Sequence, residues 1–585
     1  MLEDRDGDDA PRMDRTREEE MDDGVGGHLI SPPEDEQNQG DLPNGYLSAK
    51  VVSYEEEVGL LEGDDTMRDV ELQEDEEIRW RNKSHSGWRS GARLPSIIWT
   101  APGYLHTALH GVASFEFWDL VRTTFNYPEP DRELHSTAWL DGLRGLAAFE
   151  VFIFHYCDGW LDRSLAWGIG PYSSPAWYYA PLVRTFFASG DAAVCLFFAI
   201  SGYVLSYRML HLIRKRQPDL LLPALSSAVF RRAIRLYTPV FLETLILMLM
   251  CRWFSLPKPV KYDAAPTFLL ELQHWWSSFV LLLPPLRFPD RWETIIDVYD
   301  GGISWTIPLE YYGSIQIYLT VLFLCRARSI TVRRCLLFLW ILTAFVRDDW
   351  IPAQFLLGMT FADYQTERAD RQKSGDVNTS PSPVLHFLHR LKPAFLTILF
   401  IFGFYLSGLP GGRMKNEYND DTHIHSRPYY NWITQPLADL GLYNKRQPDR
   451  YVLCFATMCS MFAFGEARFL RLVLETRPVQ YLGRISFGLY LCHIFVRAWM
   501  EPIRAGCIAL LGVNVESAMG FRGVVAYILT MIPAITINFF VASLFERFLD
   551  RPSVKAGKAF EKWCLGWGDR SDDRSIQLDV RPPIS

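Results

Sequence analysis

The apolar residues of this chain are gathered into ten segments, near 139–157, 185–206, 236–252, 304–325, 335–347, 351–362, 394–408, 451–466, 484–501 and 524–545. Most run to roughly 15–22 residues, the length that crosses a hydrocarbon core as a helix. The sequence therefore predicts an all-α polytopic membrane protein with about ten transmembrane helices. The fifth and sixth segments are short and separated by Arg347-Asp348-Asp349-Trp350. That spacing reads equally as a helical hairpin, one broken helix or a re-entrant pair.

With 585 residues, 49% of them hydrophobic and 14% aromatic, a soluble fold would need several domains. Charge divides the chain instead. Residues 1–78 hold 27 Asp and Glu against 6 Lys and Arg, a net of −21, while the whole chain is −9, so the remainder is net +12. So acidic a stretch with few large apolar residues predicts disorder. The expected organisation is a disordered acidic region over 1–90, a membrane-embedded domain over 135–555 and a cytosolic tail over 556–585. No apolar core follows Met1, so no cleavable signal peptide is expected. The ten cysteines are scattered without paired spacing, which supports neither a disulfide framework nor a zinc motif. No metal and no nucleic-acid partner is expected.

Orientation follows from the basic connections. Arg208, Arg214, Lys215, Arg216, Arg231 and Arg232 follow the second segment, and Arg326, Arg328, Arg333 and Arg334 follow the fourth. Further basic residues gather in 363–393, 467–483 and the tail. One topology satisfies all five regions: both termini cytosolic, with connections 253–303 and 409–450 on the opposite side. The sequons at Asn82 and Asn378 then face the cytosol and stay unglycosylated. Within 253–303, Gln273-His-Trp-Trp-Ser-Ser-Phe-Val-Leu-Leu-Leu-Pro-Pro285 is too short to span and reads as interfacial or re-entrant.

Titratable residues inside apolar helices mark a site, because burying charge in lipid is costly. Arg144 and His155 are eleven residues apart, which places them on one helix face about 16 Å apart along the axis. Arg144 suits an anionic ligand and His155 suits acid–base chemistry. The blander alternatives are an arginine snorkelling to headgroups and a hydrogen-bonded core histidine. Glu310 sits in Ser304-Trp-Thr-Ile-Pro-Leu-Glu-Tyr-Tyr-Gly-Ser314, and a buried glutamate there is either protonated or paired. Asp191 stands at a helix end, where it caps or pairs with a cation. Ser201-Gly202 closes an apolar stretch and is explained as well by close helix packing as by a site. Arg231, Arg232 and Arg235 occupy adjacent turns and read as membrane anchors or as a dock for the phosphates of a nucleotide-like donor. Ser486, Tyr490 and His493 share a face at i, i+4 and i+7, and alone read as structural. Glu150, Glu243 and the loop residues His423 and His425 are weaker candidates. No nucleophile elbow and no Gly-rich phosphate loop occurs.

In order, five of these motifs resemble the acyltransferase 3 family of multi-span membrane enzymes, in their fungal form. They are Leu140-Asp-Gly-Leu-Arg-Gly-Leu-Ala-Ala through His155, Phe198-Ala-Ile-Ser-Gly202, Arg231-Arg232 with Arg235-Leu-Tyr-Thr-Pro239, Ser304 through Glu310, and Leu482-Gly-Arg-Ile-Ser-Phe-Gly-Leu-Tyr-Leu-Cys-His493. The similarity covers roughly 135–555. It implies transfer of an acyl group, usually acetyl, from acyl-CoA to a hydroxyl of a sugar, lipid or hydrophobic metabolite. It implies His155, Glu310 and Arg144 as catalytic residues, and Arg231, Arg232, Arg235, Ser201, Ser304, Trp305 and His493 as substrate-binding. Acyl-CoA is then a co-substrate and no cofactor is expected. Glu150 stands where the family usually has an apolar residue, about 240° round the helix from Arg144. An integral multi-pass protein of the endoplasmic reticulum or plasma membrane is implied. The rival reading is a transporter that uses the intramembrane Arg, His and Glu as a substrate or proton path.

Overall fold

Each of the ten apolar segments is helical. The computed structural model describes residues 134–157, 160–169, 173–256, 265–283, 299–327, 329–347, 349–373, 383–410, 429–439, 449–513 and 521–576. The acidic region 1–90, both sequons, His423 and His425 lie outside these residues, as does most of connection 409–450. The helices are α1 (Ala138–Tyr156), α2 (Thr185–Ala188), α3 (Gly190–Arg214), α4 (Pro218–Phe254), α5 (Phe268–Leu282), α6 (Thr306–Leu324), α7 (Ile330–Val346) and α8 (Trp350–Lys373). They continue as α9 (Pro383–Ser407), α10 (Asn431–Asp439), α11 (Asp449–Glu466), α12 (Arg468–Leu474), α13 (Arg477–Leu511), α14 (Phe521–Phe545) and α15 (Arg551–Ile576). Among the described residues, the small departure from all-α is a pair of two-residue parallel strands, Ala166–Trp167 and Ser173–Ser174.

Local chemistry sets the helix ends. Ser329 and Thr267 cap α7 and α5 by accepting from the amides of Val332 and Leu270. Proline opens α4 and α13, where its missing N–H leaves no bond unmade, and Gly512, with a φ of 60°, closes α13.

Among the described residues, four helical stretches are by length and apolarity able to cross a membrane: Gly190–Arg214, Pro218–Phe254, Arg390–Ser407 and Arg522–Leu565. A fifth appears if α11 and α12, bent by 101° at their junction, are taken together. The number is smaller than the expected ten for a physical reason. α1 carries Asp141, Arg144 and Glu150, and α13 carries Arg484, Arg497 and Glu501. These charges lower the apolarity of α1 and α13, whereas α3 and α4, which hold Ser201 and Arg231, Arg232 and Arg235, remain apolar enough to cross. The short fifth and sixth segments form two helices, α7 and α8, which pack on each other across the 347–349 break. α5 has 15 residues, about 22 Å at 1.5 Å per residue and less than a hydrocarbon core of roughly 30 Å. Its buried Glu271 accepts from the Tyr299 hydroxyl at 2.7 Å and from the Ala265 amide at 2.6 Å.

α3 is the hub and packs against α1, α6, α8 and α11, while α13 packs against α1 and α14. Where α3 meets α8, Gly202 lies on the Phe355 carbonyl and Gly358 on the Ala199 carbonyl, so the small-residue reading of Ser201-Gly202 holds for the glycine. Where α1 meets α13, a Cβ on Gly145 would stand 2.3 Å from the Gly483 amide nitrogen, and one on Gly483 2.5 Å from the Asp141 carbonyl oxygen. Only glycine admits so close an approach. The two helices run in the same direction, and every contact they make upward from that crossing inherits its register.

The tail boundary expected at 555/556 falls inside a continuous helical run. A π turn, Glu546–Asp550, joins α14 to α15. α15 packs back on α4, with Phe560 stacked on Phe230. Many basic residues of the connections are matched by carboxylates: Arg214 with Asp370 at 2.8 Å, Arg334 with Asp363 at 2.9 Å and with Glu367 at 2.5 Å, and Lys392 with Glu466 at 2.6 Å.

Candidate active site

Because α1 and α13 cross at Gly145 and Gly483, the Arg144 side chain lands on α13. Its Nε donates to Ser486 Oγ at 3.0 Å and its Nη2 to the Gly483 carbonyl at 3.1 Å. Asp141, one turn earlier, accepts from Nη2 at 3.1 Å and also faces His135 at 3.5 Å. The guanidinium is thus oriented by a hydroxyl, a carbonyl and a carboxylate, and the side chain as a whole is still 38% exposed. Three turns up the same face, half-buried His155 brings its ring to 5.2 Å from that of His493, at 37° between planes. Arg144 and His155 therefore share a face, and that face lies against Ser486 and His493. Glu150 is turned elsewhere, toward Ser189 ahead of α3.

A second set of groups forms where α3, α4 and α6 meet. Glu310 Oε1 accepts from Ser201 Oγ at 2.5 Å and from Arg232 Nη2 at 2.5 Å. Arg232 Nε donates to Ser314 Oγ at 3.0 Å, and Ser314 in turn donates to the Glu310 carbonyl at 2.7 Å. The glutamate is paired, the second of the two states expected for it. Arg235, one turn along α4, is half-buried and acts on the same carboxylate electrostatically. Arg231 points the other way and meets Glu561 of α15 at 3.3 Å. The three arginines are adjacent in sequence, yet the structure sends one to the tail helix and the other two toward Glu310.

Ahead of α6, the segment Asp300–Trp305 is pinned. Gly301 and Gly302 take φ of 77° and 82°, a left-handed turn that glycine enters without strain. The fully buried Asp300 accepts from the Gly302 amide at 2.6 Å and the Ser304 amide at 3.0 Å. Ser304 is buried against Asp300. Trp305 is half-buried beside it. Tyr490 ties this segment to α13: its hydroxyl donates to the Ile303 carbonyl at 3.1 Å and receives the Thr306 hydroxyl at 2.8 Å. Its ring also meets Phe197 of α3 edge-on at 5.7 Å between centroids.

One face of α13 thus serves three parts of the site. Ser486 holds Arg144, Tyr490 holds the start of the Glu310 helix, and His493 faces His155. Read alone, this face looked structural. Its neighbours could not be read from sequence, and neither could Ser314, Thr306 and Asp300. Asp191, at the first turn of α3, receives Arg450 Nη2 at 2.6 Å on its carboxylate and Nη1 at 3.0 Å on its carbonyl, so it pairs with a cation. No group of three or more His, Cys, Asp or Glu able to hold a metal ion occurs among the described residues.

An oriented arginine, a histidine facing a second histidine, and a glutamate held by serine and arginine thus come together between apolar helices. Residues 137–545 match the family described as an acyltransferase domain, and the chain belongs to that family, acyltransferase 3; it is an O-acyltransferase. An O-acetyltransferase, PaAT-1 of Phomopsis amygdali, is 25% identical over 75% of this chain and 87% of its own length. Acyltransferase R4 of a Phoma species is 21% identical, and acyltransferase clz18 of Cochliobolus lunatus 22%, each over 72% of this chain and 94% of its own length. No solved structure matches the chain. Family membership decides between the enzyme and the transporter in favour of the enzyme.

Proposed function

We propose that this enzyme moves an acetyl group from acetyl-CoA to a hydroxyl of a hydrophobic metabolite, sugar or lipid, at a site between its helices. The similar O-acetyltransferase supports acetyl as the acyl group. The observation that carries the assignment of residues is the α13 face, on which Ser486, Tyr490 and His493 engage Arg144, the Glu310 helix and His155 respectively.

In this reading both termini are cytosolic, and the donor arrives from the cytosolic side, where Arg231, Arg232 and Arg235 stand. Arg144 and Arg235 attract the donor's phosphates or order the site around them. Arg232 is committed to Glu310, and the pair braces the junction of α3, α4 and α6. His155 supplies the reacting nitrogen. As a base it takes the acceptor hydroxyl's proton while the oxygen bonds the thioester carbonyl, the C–S bond breaks, and the CoA thiolate leaves with that proton. As a carrier it first bonds the acyl carbon as the C–S bond breaks and the CoA thiolate leaves; the acceptor oxygen then bonds that carbon, the N–C bond breaks, and the hydroxyl proton passes to the freed nitrogen. Label trapped on the protein in the absence of acceptor separates the two routes. Ser201, Ser304 and Trp305 line the approach of the substrates.

The test is isotope-labelled acetyl-CoA supplied to membranes that hold the intact protein or His155→Ala, with source-cell extract as the supply of acceptors. One labelled compound formed by the intact protein alone establishes the reaction and isolates its acceptor. Equal labelling by both removes His155 from its role. Absence of label in both discards acetyl-CoA as the donor.

A further inference from the structure

The rings of His155 and His493 lie 5.2 Å apart, and the hydrogen bonds of His493 are asymmetric. Its Nδ1 is 2.6 Å from the Tyr490 carbonyl oxygen and 3.2 Å from that of Leu489. A carbonyl oxygen only accepts, so Nδ1 carries the hydrogen. In the neutral ring Nε2 is then a bare acceptor. His493 is 1% exposed, and this Nε2 has no hydrogen-bond partner among the described residues. Buried acceptors are nearly always filled, and one that is not asks for an explanation. The helix itself enforces the tautomer, because the carbonyls three and four residues back on α13 stand where Nδ1 must lie.

We propose that His493 is the positioning residue of the transfer reaction: in the substrate-loaded site its Nε2 accepts the imidazole N–H of His155 and leaves the other His155 nitrogen unprotonated toward the acceptor hydroxyl. The inference rests on the acyl-transfer reading above. Catalytic hydrogen bonds are often open in an unliganded site and close around substrate. His155 is half-buried and His493 fully buried, so substrate meets the first ring and the second stands behind it. The acceptor's O–H proton passes to the bare His155 nitrogen as the new O–C bond forms. When the C–S bond breaks, that same proton leaves with the thiolate. His493 gains and loses none. Its part matches that of the carboxylate in a Ser-His-Asp triad, which fixes a tautomer and steadies the imidazolium. Being neutral, it does so without placing a second charge in the membrane.

Two substitutions separate this role from a structural one. His493→Asn keeps a donor where Nδ1 stands and removes the acceptor at Nε2. His493→Gln carries its amide oxygen out to where Nε2 stands. With the full-length protein in membranes and labelled acetyl-CoA, we expect His493→Asn to lose about 10²-fold in kcat with little change in KM for acetyl-CoA. His493→Gln is expected to recover at least about tenfold of that loss. Asn turning over like the intact protein, or Gln no better than a well-folded Asn variant, overturns the proposal. Should the Asn variant fail to accumulate, Gln alone decides: near-intact turnover supports the role, and the hundredfold loss refutes it. If the intact protein itself transfers no label, the acyl-transfer reading falls and this inference falls with it, which is distinct from failure of the His493 variants alone.

Discussion

Arg232 and Glu310 meet at 2.5 Å between α4 and α6, and Ser201 donates to the same carboxylate oxygen at 2.5 Å from α3. Three helices therefore share one oxygen. Both side chains of the pair are nearly buried, at 12% and 14% exposure. Removing one partner strands a charge, at a cost of about 3 kcal/mol, whereas removing both together costs less. Glu310→Gln should therefore melt well below the intact protein in detergent, and Arg232→Met in the same chain should restore part of the difference. A double variant whose loss equals the sum of the single losses would show that the pair does not act as a unit.

Arg144 uses two nitrogens for three partners on α1 and α13. Lysine keeps the charge but lacks the planar fork. Arg144→Lys should fold normally, since the side chain is 38% exposed, and lose about tenfold to a hundredfold in kcat/KM through misplacement. Ser486→Ala removes the bond that Oγ accepts from Arg144 and the one it donates to the Gly483 carbonyl; loss of the first, worth about 1 kcal/mol, should cost roughly fivefold. Wild-type turnover by Arg144→Lys would reduce the residue to a source of positive charge.

The α1–α13 crossing leaves no room for a Cβ at either glycine. Gly145→Ala and Gly483→Ala both drive a methyl into backbone, which cannot swing aside as a side chain can. Each should cost at least 1–3 kcal/mol, the usual range for overpacking. Because the crossing sets the register of Arg144 on Ser486 and of His155 beside His493, activity should fall in any protein that still folds. Size-exclusion profiles of tagged protein measure the first effect and turnover the second; an active, monodisperse Gly145→Ala would refute both.

Arg450 has a 7% exposed side chain and lies 5.0 Å over the Trp350 ring, with Asp191 as its carboxylate partner. The Asp191 side chain is 43% exposed and Arg450 keeps the Asp191 carbonyl in the variant, so Asp191→Ala should destabilise by about 1 kcal/mol and loosen the start of α3 from α11. The measurement is again a melting curve in detergent, and no shift in it would mean that the tryptophan face and the Asp191 carbonyl suffice.

Orientation is testable without activity. Tags on either terminus should be reached by protease only after the cytosolic face is opened, and Asn378 should carry no glycan. A glycan there would invert the connections and move the donor's arrival to the opposite face.

The sequence alone determined the helical class, the ten apolar segments, the shared face of Arg144 and His155, and the family motifs in order. These are local signals: a run of apolar side chains, a helical period of 3.6, a few residues at fixed spacing. The same signals placed Ser486, Tyr490 and His493 on one face but said nothing of what that face meets. Only the tertiary structure decided that Ser486 holds an arginine 342 positions earlier, that Tyr490 reaches back 184 positions to Thr306, and that His493 faces His155. It also decided that Arg231 and Arg232, neighbours in the chain, part company for Glu561 and Glu310. Contacts across such separations depend on which helices cross and in what register, here set by backbone approach at Gly145 and Gly483, and pairing of that kind leaves no periodic mark on either segment.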